Sequence, residues 1–484
     1  MGLWLGASRA NAVEVSGTGF ARGAVQSTPD ILGLTQITSL QDIGARRRAD
    51  DPDARLESVG AQLFTRISAR GQPLPGLLWR ITLDTGLIDF TDDGVFGDGR
   101  PFGEHARTTA LLGSTYLDVQ PRADGTMVLR FGKLRPRVGD GAIFDAAAFG
   151  GLFDFDLSLL RDPIPFAVTL SAFLPDGRFT EDLKTSPLVN LEVRFPFTFF
   201  EVGTFGALFW DDEGAFVPLV RFPAFVSDGL EGASVNSTRG PLAWTGAWFE
   251  WRSPALLVRI DGMLGLGRTT VSGQLPVSRG RAPVVTSEPF EERVRLLSGL
   301  VKAELDLSWD RFGASPFFLF LTGDDDLGPP GDRTFAAFPS LAPVVPFTSI
   351  FLAGTSSPVQ QQPSLQNLAP DGSGLIAPGM RGSVGVGPLE LAATVAGLFS
   401  LFPPALEGLR AVGPAFERAI PESVDPEARL YGVEVDFDVT WFLGSHWAAT
   451  LESAYFATGG VFGNAPDAYQ LLVGIGFLAG DPQL

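Results

Sequence analysis

The side chains of this chain that are placed to do chemistry are charges spaced two apart. Glu434, Asp436 and Asp438 alternate with Val433, Val435, Phe437 and Val439. Arg66, Arg70, Arg80, Arg130, Arg194, Arg259 and Lys302 sit among apolar neighbours in the same way. In an extended strand a period of two gathers such charges on one face and the apolar residues on the other. Rows of fixed charge can select ions and hand a charged solute along through weak successive contacts. They can also be a structural network, in which opposite charges on adjacent strands neutralise one another. Bases concentrate early and acids late, especially from Glu434 to Asp438, so a sheet that closes first strand on last would enclose a transverse field.

Other chemistry is poorly supplied. The two histidines, His105 and His446, have no legible Ser-His-acid arrangement around them, and G-x-S-x-G is absent. No catalytic residue is expected. With no cysteine there is no disulfide, thiolate zinc site, iron–sulfur cluster or cysteine nucleophile. Asp324, Asp325, Asp326 and Asp332, and Asp92, Asp93 and Asp98, are oxygen-rich clusters without EF-hand spacing. They read as solvated loop acids, so no metal or cofactor is expected.

The elements that position the charges are β-strands. Trp79, Ile81 and Leu83 alternate with Arg80 and Thr82; Val189, Leu191, Val193 and Phe195 with Asn190, Glu192 and Arg194; Val301, Ala303 and Leu305 with Lys302, Glu304 and Asp306. Eighteen such segments run from 13–24 and 56–70 to 446–457 and 468–479. A soluble sandwich has the same alternation, but two observations favour a membrane barrel. Connections alternate between short, as at 71–76, 309–311 and 444–445, and long, as at 25–55, 212–239, 269–293 and 324–378, which is the outer-membrane barrel pattern. Aromatics also collect at both strand ends. Trp79, Trp309, Trp441 and Trp447 flank short turns, and Tyr431, Tyr455 and Tyr469 lie at the long-loop ends of the last three strands, as two membrane interfaces select.

Composition agrees. The 484 residues carry 36 Lys+Arg against 55 Asp+Glu, a net charge of −19, which speaks against nucleic acid as a partner. No window approaches 18 uninterrupted apolar residues, so membrane-spanning helices are not expected. The expected fold is all-β: a single transmembrane antiparallel barrel of about 18 strands (16–18) over residues 13–484, with short periplasmic turns and long extracellular loops. Residues 1–12 read as the remnant of a signal peptide ending in Ala10-Asn11-Ala12. The apolar, Pro-rich loop 324–378 is expected to plug the lumen or cap the rim, and 404–420 to form a short amphipathic helix.

Leu129-Arg130-Phe131-Gly132-Lys133, with Gly139-Asp140 and Phe149-Gly150-Gly151-Leu152, resembles a stretch of the alginate-export-type outer-membrane barrels. Gly432-Val-Glu434-Val-Asp436 and Gly459-Gly460-Val-Phe462 are similar to late segments of the same group. The resemblance implies export of an acidic polysaccharide through an arginine-lined lumen, with Arg130 and Lys133 on the path. The chain departs from that pattern where Lys133-Leu134 replaces an Arg-Gln pair and where the lumen turns acidic. The function expected is passage or export of a polar or charged solute or polysaccharide across the bacterial outer membrane, with outer-membrane lipid as a partner. The alternative is a non-conducting barrel that anchors envelope-complex proteins.

Overall fold

The computed structural model describes residues 13–29, 55–74, 77–84, 88–89, 115–121, 125–145, 148–160, 164–175, 186–211, 234–278, 285–323, 334–341, 345, 347–349, 352, 374–402, 427–462 and 467–479. Eighteen strands form the wall. They are β1 (Val13–Pro29), β2 (Arg55–Leu74), β3 (Leu77–Asp84), β4 (Thr115–Val119), β5 (Met127–Leu134) and β6 (Ala148–Asp156). Next come β7 (Ala167–Leu174), β8 (Leu188–Pro196), β9 (Phe200–Asp211), β10 (Ser234–Ser253), β11 (Leu256–Ser278) and β12 (Val285–Trp309). The last are β13 (Phe312–Leu321), β14 (Leu375–Val386), β15 (Leu389–Phe399), β16 (Leu430–Phe442), β17 (Trp447–Thr458) and β18 (Ala468–Ala479). Each pairs antiparallel with its neighbours in sequence, and β1 closes on β18 with Phe20 opposite Gly476. Closure leaves the wall without an edge, so its backbone donors and acceptors are met between strands, as a bilayer requires.

Alternation sets which way the wall faces. On β16, Val433, Val435, Phe437 and Trp441 are exposed, whereas Glu434 and Asp436 on the other face are 1% and 3% exposed. The wall of this strand is therefore apolar outside and charged inside, the reverse of a soluble protein.

Some long connections are shorter than expected. Residues 269–293 were expected to form a long loop, but β11 runs to Ser278 and β12 starts at Val285, in continuous register from Leu256↔Leu307 to Ser278↔Val285. β10 likewise begins at Ser234. Beyond the bilayer both faces of a strand are wet, so alternation fades and a polar strand reads as a loop. Residues 1–12 and 404–420, His105 and the two aspartate clusters of 92–98 and 324–332 lie outside the described residues.

Candidate functional site: a charged lumen filled by two loops

The inward rows form two zones. The first is charged. On β2, Arg66 stands opposite Asp84 of β3, and Arg70 opposite Arg80. The Arg70 guanidinium donates to Glu14 of β1 at 2.6 Å. Arg80 and Arg130 flank the ring of Tyr116 on β4, 5.9 and 4.6 Å from its centre. Arg130 is locked in this orientation by a two-pronged contact with Asp118, at 2.5 and 3.0 Å. Arg194 bridges Asp154 at 3.2 Å and Glu192 at 3.5 Å. Arg381 lies 3.6 Å from Asp438. Arg259 donates to Asp261 at 3.0 Å and to Glu250 at 3.4 Å.

Lys133 does not join this zone. The register puts it opposite Thr115 and Phe149, in the outward row that holds Phe131 and Leu117. It sits one residue from Arg130's face, and in a strand an odd offset means the opposite face. The expectation from resemblance is corrected on this residue.

The second zone is apolar and lies towards the long-loop end. Inward residues of β5 to β18, among them Trp244, Leu300, Leu319, Leu321 and Leu398, pack with two loops that fold into the barrel. β1, β2 and β3 contribute nothing to this cluster among the described residues. There the wall is polar, and Ser68 and Thr82 bond each other at 3.0 Å.

The first infolded loop spans 135–147 and carries a small hairpin, Arg137–Val138 against Phe144–Asp145. Its tip, Gly139-Asp140-Gly141, is left-handed throughout, with φ of 58°, 48° and 83°. Gly139 is required twice over, because a Cβ there would meet Ile143 at 2.8 Å and Met263 of β11 at 3.1 Å. Asp140 is not glycine, and its strained backbone holds a carboxylate against the wall. Lys302 Nζ donates to it at 2.5 Å, Arg259 lies at 3.3 Å and Arg137 at 3.2 Å. Lys302 and Asp140 side chains are only 3% and 6% exposed.

The second infolded loop belongs to the 324–378 segment. The backbone N–H of Leu341 donates to the Ile143 carbonyl at 2.9 Å, joining the two loops. The Trp244 indole donates to the Pro339 carbonyl at 3.0 Å, and the Thr322 hydroxyl to that of Ala336 at 2.6 Å. Phe347 stacks on Phe317 of β13 at 4.3 Å, with Lys302 Nζ 5.4 Å from its ring centre. The Ser349 N–H donates to Asp436 at 3.2 Å. Thus Lys302 touches both loops, and the acidic row of β16 receives one of them. Phe317 can reach Phe347 because Gly379 beside it has no side chain; a Cβ there would lie 2.1 Å from the Phe317 ring. Gly379→Val is expected to push the ring off, destabilise the barrel by about 1–3 kcal/mol through overpacking, and lower its urea midpoint.

Large aromatics stand at both ends of the outer wall. Trp309, Trp441 and Trp447 are exposed on the outside at the short-turn end, and Trp251, not anticipated, joins them. Trp79 shares their outward phase, opposite Leu117. Tyr455 and Tyr469 are exposed at the long-loop end, where the Tyr455 hydroxyl donates to Asp467. Tyr431 is the correction: it is 1% exposed and packs inside. Leu398 pairs with Gly432 and Phe399 with Leu430, so Tyr431 is the extra residue of a bulge. A bulge re-aims a side chain against strict alternation, and nothing in the spacing of 430–441 announces it. Asp140, Tyr116 and Phe347 were also missed, because their importance arises from partners on distant segments. Among the described residues, no group of three or more His, Asp or Glu is arranged to hold a metal ion.

No family model matches the chain. No curated protein matches it either. Among solved structures, the chain is similar to three proteins of Pseudomonas aeruginosa. OccK5 (OpdH) is 10% identical, with 97% of this chain and 98% of that one covered and a TM-score of 0.48. OccK9 (OpdG) is 11% identical, with 96% and 98% covered and a TM-score of 0.48. The outer membrane protein OprD is 10% identical, with 96% and 94% covered and a TM-score of 0.47.

Proposed function

We propose that this chain is a bacterial outer-membrane channel that passes polar or charged solutes. The observation that carries the reading is the inverted barrel: a closed wall with exposed apolar rows outside and a dense set of charges inside. Because the apolar filling, among the described residues, takes nothing from β1 to β3, the solute path runs down the wall from β1 to the charged face of β5, past Arg66, Arg70, Arg80 and Arg130. The same basic wall supports an acidic polysaccharide as a second cargo. The interlocked loops support the other reading, a non-conducting barrel serving as an anchor for envelope proteins.

The test is planar-bilayer current from the refolded chain in a salt gradient, with folding verified by heat-modifiable gel mobility. A steady current with a nonzero reversal potential is expected. Arg130→Gln strands Asp118 without its bidentate partner, removing a positive charge and exposing a negative one. The reversal potential should then shift towards cation selectivity by several millivolts, since unpaired fixed charges act directly on permeant ions. An inserted barrel that stays silent, and stays silent after its loops are shortened, would leave the anchor reading.

A further inference from the structure

The outward face of β10 to β12 carries an array that the lumen does not use. Arg239, Arg268, Arg293 and Arg295 are all exposed. On β11, Arg268 continues the outward row of Leu264 and Leu266, and on β12, Arg293 and Arg295 continue that of Leu297. Arg268 stands directly opposite Arg295; one step up, Thr270 stands between Arg239 and Arg293. Four guanidiniums thus share one patch on three adjacent strands. Like charges directly opposed across a sheet repel, and among the described residues none of the four has an acidic partner. A protein of net charge −19 has gathered four cations on one outward face, where, among the described residues, exposed Glu291, two along the row from Arg293, is the one acid.

Their height says which anion. Trp251 of the short-turn girdle pairs with Val258, while exposed Trp210 pairs with Pro241, in the row of Arg268 and Arg295. From Val258 to Arg268 is about 34 Å of strand, or about 25 Å along the membrane normal at a tilt of about 40°. That is the height of the apolar band of such a barrel. The array therefore sits at the outer interface, directly above Leu264, Leu266 and Leu297. Planar guanidinium forks match phosphate oxygens in pairs.

We propose that this array binds the phosphates of an anionic lipid of the outer leaflet, whose acyl chains lie along the leucines beneath. The inference rests on the outer-membrane reading above. The test is native mass spectrometry of the folded full-length barrel in neutral detergent, titrated with a bisphosphorylated glucosamine lipid (lipid A), with phosphatidylcholine or with inorganic pyrophosphate. The wild type should retain lipid A in preference to phosphatidylcholine. The double variant Arg268→Gln, Arg295→Gln should lose at least about tenfold in affinity, because two charge-assisted contacts go at once. Lys at both positions should recover most of it, and Arg311→Gln, at the short-turn end, should change nothing. Equal retention by the wild type and the Gln double variant overturns the proposal. So does pyrophosphate binding as tightly as lipid A, which would mark a small-anion site. Gel mobility and conductance are read on the same samples. A barrel that folds and conducts yet ignores the lipid defeats this inference alone, whereas one that never inserts defeats the membrane reading.

Discussion

A chain in which residues 334–352 are replaced by a short Gly-Ser link will carry several times the wild-type current at the same voltage. This segment places Ala337, Phe338, Leu341, Phe347 and Leu352 inside the barrel, each almost fully buried. Its removal empties the space beside β10 to β16 and admits water to it. The closed wall keeps its strand pairing, because no wall strand is interrupted. The wall side chains that faced the loop, Leu300, Leu319 and Leu321 among them, lose their apolar cover. Removing a buried aromatic such as Phe338 or Phe347 costs about 3–5 kcal/mol in a packed core, so the shortened protein should also unfold at lower urea. Single-channel recording gives the first quantity, and the urea midpoint of the folded band on gels gives the second. Unchanged conductance with a lowered midpoint would mean that the loop packs without obstructing the path.

The second large effect is expected at the buried ion pair. Lys302→Met leaves the buried Asp140 carboxylate with only Arg259 and Arg137 to balance it. Breaking a buried pair from one side costs about 3–5 kcal/mol, since the surviving charge stays desolvated. Asp140→Asn exposes Lys302 to the same penalty, relieved in part by Glu304 at 3.5 Å. The double variant should cost no more than the worse single one, a coupling of about 2 kcal/mol or more, as expected for groups in direct contact. Urea unfolding of the four proteins provides the cycle. Because Asp140 pins the tip of 135–147, and Leu341 is bonded to that loop, both single variants should also show flickering current. Strict additivity would remove the latch and leave the two loops held by apolar packing alone.

The strained tip explains why such a latch is needed. Three consecutive left-handed residues, one of them not glycine, are unfavourable locally. The turn persists because the Asp140 carboxylate meets Lys302 and Arg259, while Val138, Ala142, Ile143 and Phe144 are sealed among wall side chains. Packing and charge act on the same short segment, which makes the constriction sensitive to single substitutions.

How much could be read beforehand varies residue by residue. The inward placing of Arg130 and Asp436 followed from their neighbours, because a strand exposes alternate residues to two very different solvents. Lys133 obeys the same rule against the motif likeness: its odd offset from Arg130 turns it to the outer face. Tyr431 failed because one inserted residue reverses a side chain without altering composition or spacing. The extensions of β11 and β12 were hidden because, above the bilayer, water bathes both faces and the period of two disappears.

The strand number, the closed antiparallel order and the lipid-facing rows are properties of the amino-acid sequence by itself, since each follows from local alternation and from the lengths of the connections. The meeting of particular charges is a property of the tertiary structure alone. Lys302 and Asp140 are separated by 162 residues, and only a loop crossing the lumen brings them together. The arginine array is divided in the same way: its residues are separate in sequence, and the register of three strands makes them neighbours. Local periodicity determines the face on which a side chain lies, whereas register and loop path, which depend on the whole closed wall, determine what it meets there.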